Sequence, residues 1–125
     1  MLTFGVVVLG VTDRARAAEF WCAALGYQVL EGYGGWATVL SPPPGEAGAV
    51  IALQASATPA EDHPRLHFDL HVTGVEEQEA EADRLVSLGA RRVDWDSYPD
   101  DPDFVVLADP DGNRFCIVDL AHDYG

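Results

Sequence analysis

The chain has 125 residues, a length at which one compact domain buries roughly two thirds of its unfolded surface. Hydrophobic residues make up 48% and charged residues 22%, with 12 Gly and 8 Pro, which excludes a disordered, collagen-like or coiled-coil chain. Seven basic against 21 acidic residues give a net charge of −14. Since this charge repels nucleic-acid phosphates and anionic membrane surfaces, we expect neither as a partner.

No apolar run approaches the roughly 20 residues that a membrane-spanning helix requires, and the first residues lack the basic region and cleavage site of a signal peptide. We therefore expect a cytoplasmic protein. Cys22 and Cys116 lie far apart in apolar sequence, a pattern typical of reduced core thiols rather than of a disulfide framework.

The first half of the chain predicts one strand, one helix and three further strands. Residues 6–13 form a β-rich run, and Asp13 is a suitable N-cap for a helix that ends at Gly26. Strands are predicted over 27–31, 36–40 and 50–54, separated by the breakers GYGG and PPPGEAG.

The second half predicts the same order of elements. A β-rich run covers 67–74, and Thr73 with Glu76 has the spacing of a capping box for a helix that ends at Gly89. Strands are predicted over 91–94, 104–108 and 114–119, separated by an Asp/Pro-rich loop and by DPDGN. Both opening runs end in Val-Thr and both helices end in Leu-Gly, about half a chain apart.

The chain is therefore predicted to be a single domain built from two β-α-β-β-β modules, residues 1–58 and 64–125. Two curved sheets of this kind, with helices on their outer faces, would enclose a concave cavity. Within DPDGN we expect the polar and glycine residues to form a turn: Asp109, Asp111, Gly112 and Asn113.

The repeat, together with FWCAALGY, RLHFDL and LADPDGNRFCIVD, resembles the vicinal-oxygen-chelate superfamily, and within it the glyoxalase-like and bleomycin-resistance-like proteins. The resemblance covers essentially the whole chain. It implies an α+β fold in which two βαβββ modules form curved mixed sheets around a concave cavity, and it implies a homodimer.

Alternation along RLHFDLHV separates two faces of one strand. The apolar set, expected to pack under a helix, is Leu66, Phe68, Leu70 and Val72. The opposite face carries His67, Asp69 and His71, which can form a polar wall, bind a substrate and transfer protons, or bind a metal. Because an ordinary histidine gains its charge near pH 6.5, we expect ligand affinity to change between about pH 5 and 8.

The superfamily's metal enzymes use four cavity-facing positions. The resemblance places His67 and Cys116 at two of them, and the half-chain offset of the repeat gives Val6 and Gln54 for the other two. Valine cannot bind a metal, a neutral amide is a poor ligand, and a thiol is soft where the family's oxygen-rich site is hard. We therefore expect no bound divalent metal. If one is present, its ligands at these positions are His67, Gln54 and Cys116, and a softer site combining Cys116 with His67, Asp69 or His71 would favour zinc.

Cys116 itself has two interpretations. Beside His67 its thiol could become a nucleophile, whereas a free cysteine is most often buried and inert, and FCIVD carries no nucleophile signature. We expect the inert thiol.

The loop VDWDSYPDDPDF interleaves carboxylates with Trp95 and Tyr98, a combination that attracts organic cations, although many such loops are only solvated. Trp36 is a further candidate for an aromatic wall, with a core position as its alternative, whereas Phe20 and Trp21 have helical core spacing. The predicted ligand-binding residues are Trp36, Gln54, Trp95, Tyr98 and Cys116.

Two functions follow from this sequence. The first is a protein that sequesters or processes a small, cationic or aromatic metabolite or antibiotic in its cavity. The alternative is an enzyme, a lyase, isomerase, cyclase or dioxygenase, that uses His67, Asp69 and His71 for acid–base catalysis or a modified metal site around His67.

Overall fold

The computed structural model describes residues 1–30 and 35–124. The chain divides into two compact units between Pro59 and Ala60, inside the loop where the repeat places the module boundary. We call these units the first and the second module.

The first module contains β1 (Val7–Val11), α1 (Arg14–Leu25), β2 (Gln28–Leu30), β3 (Thr38–Ser41) and β4 (Ile51–Ala55). Its sheet has the order β1-β4-β3-β2, with β1 parallel to β4 and the other pairs antiparallel. A parallel pair needs a crossover connection, and α1 begins that crossover.

The second module contains β5 (Phe68–Val72), α2 (Val75–Ser87), β6 (Arg91–Arg92), β7 (Phe104–Ala108) and β8 (Arg114–Asp119). Its sheet order β5-β8-β7-β6 repeats that of the first module, with β5 parallel to β8. The predicted α+β fold of two βαβββ modules with mixed sheets is confirmed. That the two sheets together enclose one cavity stays a prediction.

Most strands are shorter than their apolar runs, and only β7 and β8 have the predicted bounds. The strand predicted over 36–40 begins at Thr38, so Trp36 precedes it. Glu31 and the residues 32–34 of the GYGG breaker lie outside the described residues.

The start of α1 confirms its predicted cap, but the start of α2 does not. The Asp13 carboxylate accepts the Arg16 N–H at 3.1 Å, and Gly26 ends α1 in the left-handed conformation. In α2 the N-cap is Gly74, so the carboxylate three residues further on belongs to Glu77, which accepts the Thr73 N–H at 3.0 Å. The capping box of Thr73 with Glu76 is therefore wrong by one residue.

The second helix also ends differently from the first. Leu88 is the C-cap, and Gly89 follows with a φ of +121°, which is positive but far from the left-handed helical value that Gly26 adopts. Glycine tolerates both conformations because it lacks a Cβ atom.

Each module has its own apolar core. Phe20 and Trp21 are buried on α1, as predicted, and Trp21 is only 1% exposed. Leu66 is 69% exposed because β5 begins two residues after it, so its predicted packing under a helix is wrong. Trp36 is 57% exposed, which excludes the core alternative for this residue.

One buried polar side chain ties α2 to the rest of the second module. The Gln78 amide donates to the Asp103 carbonyl at 3.0 Å and to the Ile117 carbonyl at 2.9 Å. Gln78 therefore fixes the loop before β7 relative to β8.

Among the described residues no helix combines the length and the apolar character that crossing a membrane requires.

Candidate functional site

The second module contains a cavity of about 360 Å³ on the sheet face where Asp69, Cys116 and Val106 are register partners. Its apolar lining consists of Pro64, Trp95, Phe104, Val106, Phe115 and Val118. Its polar lining consists of His67, Asp69, Ser97, Asp103, Arg114 and Cys116. A concave apolar wall with a few convergent polar groups is typical of small-molecule sites.

Asp69 on β5 and His67, which immediately precedes β5, both line this cavity. The His67 Nε2 atom lies 3.1 Å from Asp69 Oδ1, and both side chains are about half exposed. His71 is the register partner of Val118 on the same sheet face, but it lies outside the lining residues. The predicted row of three titratable groups therefore contributes two of them to the cavity.

The Cys116 thiol sits beside this pair and is only 8% exposed. Burial first, then the Asp69 charge, a hydrogen bond to Asp69 and the Asp103 charge raise the pKa of Cys116 to about 12. Burial, together with the neighbouring carboxylates, thus keeps the thiol protonated at neutral pH. The geometry favours the inert thiol over the nucleophile.

This environment predicts slow alkylation of Cys116. The test uses a Cys22→Ser variant, which keeps only the Cys116 thiol. At pH 8 we expect iodoacetamide to react with the folded protein at least 100-fold more slowly than with the guanidinium-unfolded protein. Burial limits access to the thiol, and the raised pKa lowers the fraction of thiolate. The folded rate should increase with pH until about 12. Asp69→Asn should raise it, and folded and unfolded rates within tenfold of each other would contradict the prediction.

Trp95 forms the aromatic wall of the cavity, and its ring contacts His63, which is not a lining residue. Its ring centroid lies 4.9 Å from that of His63, and His63 Nε2 lies 2.8 Å from Asp96 Oδ1. The hydrogen bond with His63 lowers the pKa of Asp96. The segment before β5 and the acidic loop therefore meet at the cavity wall.

Tyr98 supports the cavity from behind its lining. Its hydroxyl oxygen accepts the Val106 N–H at 2.8 Å, and its ring centroid lies 5.2 Å from that of Phe104. It is not itself a lining residue, so its predicted contact with a ligand would be indirect.

Arg114 lines the cavity without having been predicted, whereas Asp103 is one of the carboxylates of the loop predicted to attract a cation. Arg114 lies two residues before Cys116 on β8, so alternation along β8 could have predicted it. Its guanidinium donates to the Gly112 carbonyl and, at 3.1 Å, to the Asp62 carboxylate. Asp103 precedes β7, and its carboxylate accepts the Tyr124 hydroxyl, which raises the pKa of Tyr124. No strand pattern covers Asp103.

The turn before β8 has the predicted structural role. The Asp109 carboxylate accepts the backbone N–H groups of Asp111 and Asn113, at 3.0 and 2.9 Å, and Gly112 has a φ of +91°. This turn sets where β8 begins and thereby positions Cys116.

The first-module candidates Gln54 and Trp36 are both exposed, and their contact with a ligand stays a prediction. The position assigned to Gln54 needs correction. In the second module Cys116 is the register partner of Asp69, and the matching pair of the first module is Val8 with Ala52, whereas Gln54 is the partner of Gly10. Loops of unequal length between the matched strands make a constant sequence offset misleading here.

Solved structures of other proteins share this fold. A glyoxalase/bleomycin resistance protein/dioxygenase family enzyme from Burkholderia phytofirmans has a TM-score of 0.71 at 15% identity, covering 93% of this chain and 97% of its own. The genomically encoded fosfomycin resistance protein FosX from Listeria monocytogenes has a TM-score of 0.71 at 14% identity, covering 95% and 91%. A variant of that protein, complexed with Mn(II) and 1S,2S-dihydroxypropylphosphonic acid, has a TM-score of 0.70 at 14% identity, covering 99% and 93%.

At these identities the solved structures define the fold class, that of the vicinal-oxygen-chelate proteins. The family model of the Glyoxalase-like domain matches residues 6–118 of the sequence, and the chain belongs to this family. No curated protein matches the sequence.

The family's metal positions do not fit a hard divalent ion in this chain. Val6 offers no donor atom, and neither does Ala52, which the register places opposite Val8. His67 and Cys116 remain, and a thiol is a poor ligand for ions that prefer oxygen. The residues at these positions therefore do not form the oxygen-rich site of the family's metal enzymes.

Proposed function

We propose that the protein binds a small organic cation with an aromatic or apolar part in the cavity of the second module, and releases it unchanged. The observation that carries the proposal is the pairing of carboxylates with an aromatic wall. Asp69 and Asp103 line the same cavity as Trp95 and Phe104.

The charges of the cavity favour a cation. Asp69 and Asp103 both act on the Cys116 thiol by Coulomb interaction, so their negative potential reaches the lining around it. Among the described lining residues the permanently cationic one is Arg114, which is paired with Asp62 at 3.1 Å. A ligand ammonium group would face carboxylates on one side and the Trp95 ring on the other.

The test uses probes with the same phenylethyl group and different charge: phenylethylammonium, phenylethanol and phenylpropionate, titrated by calorimetry. We expect the ammonium probe to bind tightest. Asp69→Asn, Asp103→Asn and Trp95→Ala should each weaken it at least fivefold, whereas Asp100→Asn, an exposed change in the same loop, should have less than a twofold effect. Tighter binding of the carboxylate would contradict the proposal.

Further variants test the remaining predicted site residues. Trp36→Ala and Gln54→Ala report whether the first module contributes to binding. His67→Ala reports whether the half-exposed imidazole that lines the cavity contributes to binding, and His71→Ala, outside the lining, is its control.

A second candidate function rests on the 3.1 Å contact between His67 and Asp69. A carboxylate that accepts one ring N–H leaves the other ring nitrogen free to act as a general base, the arrangement expected of a metal-independent lyase, isomerase or cyclase. Mass spectrometry of a bound compound before and after incubation separates the two functions. A product lost in His67→Ala would favour the enzyme.

The homodimer and the cytoplasmic location stay predictions from the resemblance and from the sequence.

A further inference from the structure

We propose that His67, Asp69 and Cys116 form a three-ligand site for a zinc-class divalent ion, supplied by the second module alone. The site shares Asp69 with the cation site proposed above, but its test uses no organic ligand. It also differs from the oxygen-rich site ruled out above, because it uses Asp69, which is not one of the four family positions, and a sulfur donor.

The geometry follows from two adjacent parallel strands. Asp69 and Cys116 are register partners on β5 and β8, and His67 immediately precedes β5, with its Nε2 atom 3.1 Å from Asp69 Oδ1. One ligand atom from each residue lies within 4.8 Å of the others. Ligand atoms around tetrahedral zinc are separated by roughly 3.3–3.8 Å, so the half-exposed His67 and Asp69 side chains need move by only about 1 Å.

The donor set selects the ion. A thiolate, an imidazole and a carboxylate suit zinc and cobalt, whereas Mn²⁺ and Mg²⁺ prefer oxygen ligands. Three protein ligands leave the fourth tetrahedral position open toward the cavity, as in zinc sites that bind water or a small molecule.

Two of the three ligands, His67 and Asp69, are about half exposed. We therefore expect an exchangeable ion, and the site is tested by adding metal back.

The test is a titration of chelator-treated protein with Zn²⁺, Co²⁺ and Mn²⁺ at pH 7.5, followed by calorimetry and by absorption of the Co²⁺ complex. We expect one Zn²⁺ per chain, Mn²⁺ binding at least 100-fold weaker, and a thiolate-to-cobalt charge-transfer band. Cys116→Ser should remove the band and weaken Zn²⁺ at least 100-fold, and Asp69→Asn and His67→Ala at least tenfold.

Matched controls exist in the same chain. Cys22→Ser and His71→Ala should change Zn²⁺ affinity less than twofold. The proposal is overturned if Zn²⁺ does not bind at millimolar concentration, if Mn²⁺ binds as tightly as Zn²⁺, or if the charge-transfer band disappears with Cys22→Ser rather than with Cys116→Ser. Since the band is measured on the wild-type protein, the test holds even where a variant fails to fold, and no organic probe enters it.

Discussion

Trp21→Ala is expected to lower the free energy of unfolding by roughly 3–5 kcal/mol, the largest effect of any single change considered. Trp21 is 1% exposed, and its ring meets that of Phe20 edge-on at a centroid distance of 5.0 Å. Truncation removes a large buried apolar surface and leaves a cavity that the helix and sheet cannot fill by local movement. Guanidinium unfolding followed by circular dichroism measures the loss.

Trp36→Ala is the matched control, because it removes the same side chain from a position that is 57% exposed. Its effect on the free energy of unfolding should stay below about 1 kcal/mol. Equal losses for the two variants would mean that Trp21 does not occupy the core of the first module.

Gln78→Met should lower the free energy of unfolding by about 2–4 kcal/mol. The substitution keeps the length of the side chain but removes two buried hydrogen bonds, so the Asp103 and Ile117 carbonyls lose this donor. Because Asp103 lines the cavity, we also expect the affinity for the ammonium probe to fall at least threefold. Chemical unfolding and calorimetry measure the two effects separately.

The exposed Gln28 on β2 offers the same substitution without buried partners. Gln28→Met should change stability by less than about 0.5 kcal/mol and leave probe affinity unaltered. A Gln78→Met protein as stable as the wild type would show that water replaces the amide between α2 and the Asp103 loop.

The sequence by itself determined the two-module fold, because the information is local and occurs twice. Apolar alternation, the Asp13 cap and the glycine that ends α1 each act within a few residues. The same alternation predicted that His67 and Asp69 lie together, and they do, although His67 immediately precedes β5. Phe104 and Arg114 begin strands at their predicted positions because turn-forming sequences precede them.

Only the tertiary structure decided which of these groups meet. The pairing of Asp69 with Cys116 depends on the register of two strands far apart in the chain, and a constant repeat offset misplaced the first-module counterpart by two residues, at Gln54 rather than Ala52. Asp103 reaches the cavity because Gln78 holds its loop, a long-range contact without a sequence pattern. The raised pKa of Cys116 likewise follows from burial and from carboxylates that folding brings close, and no local pattern encodes either.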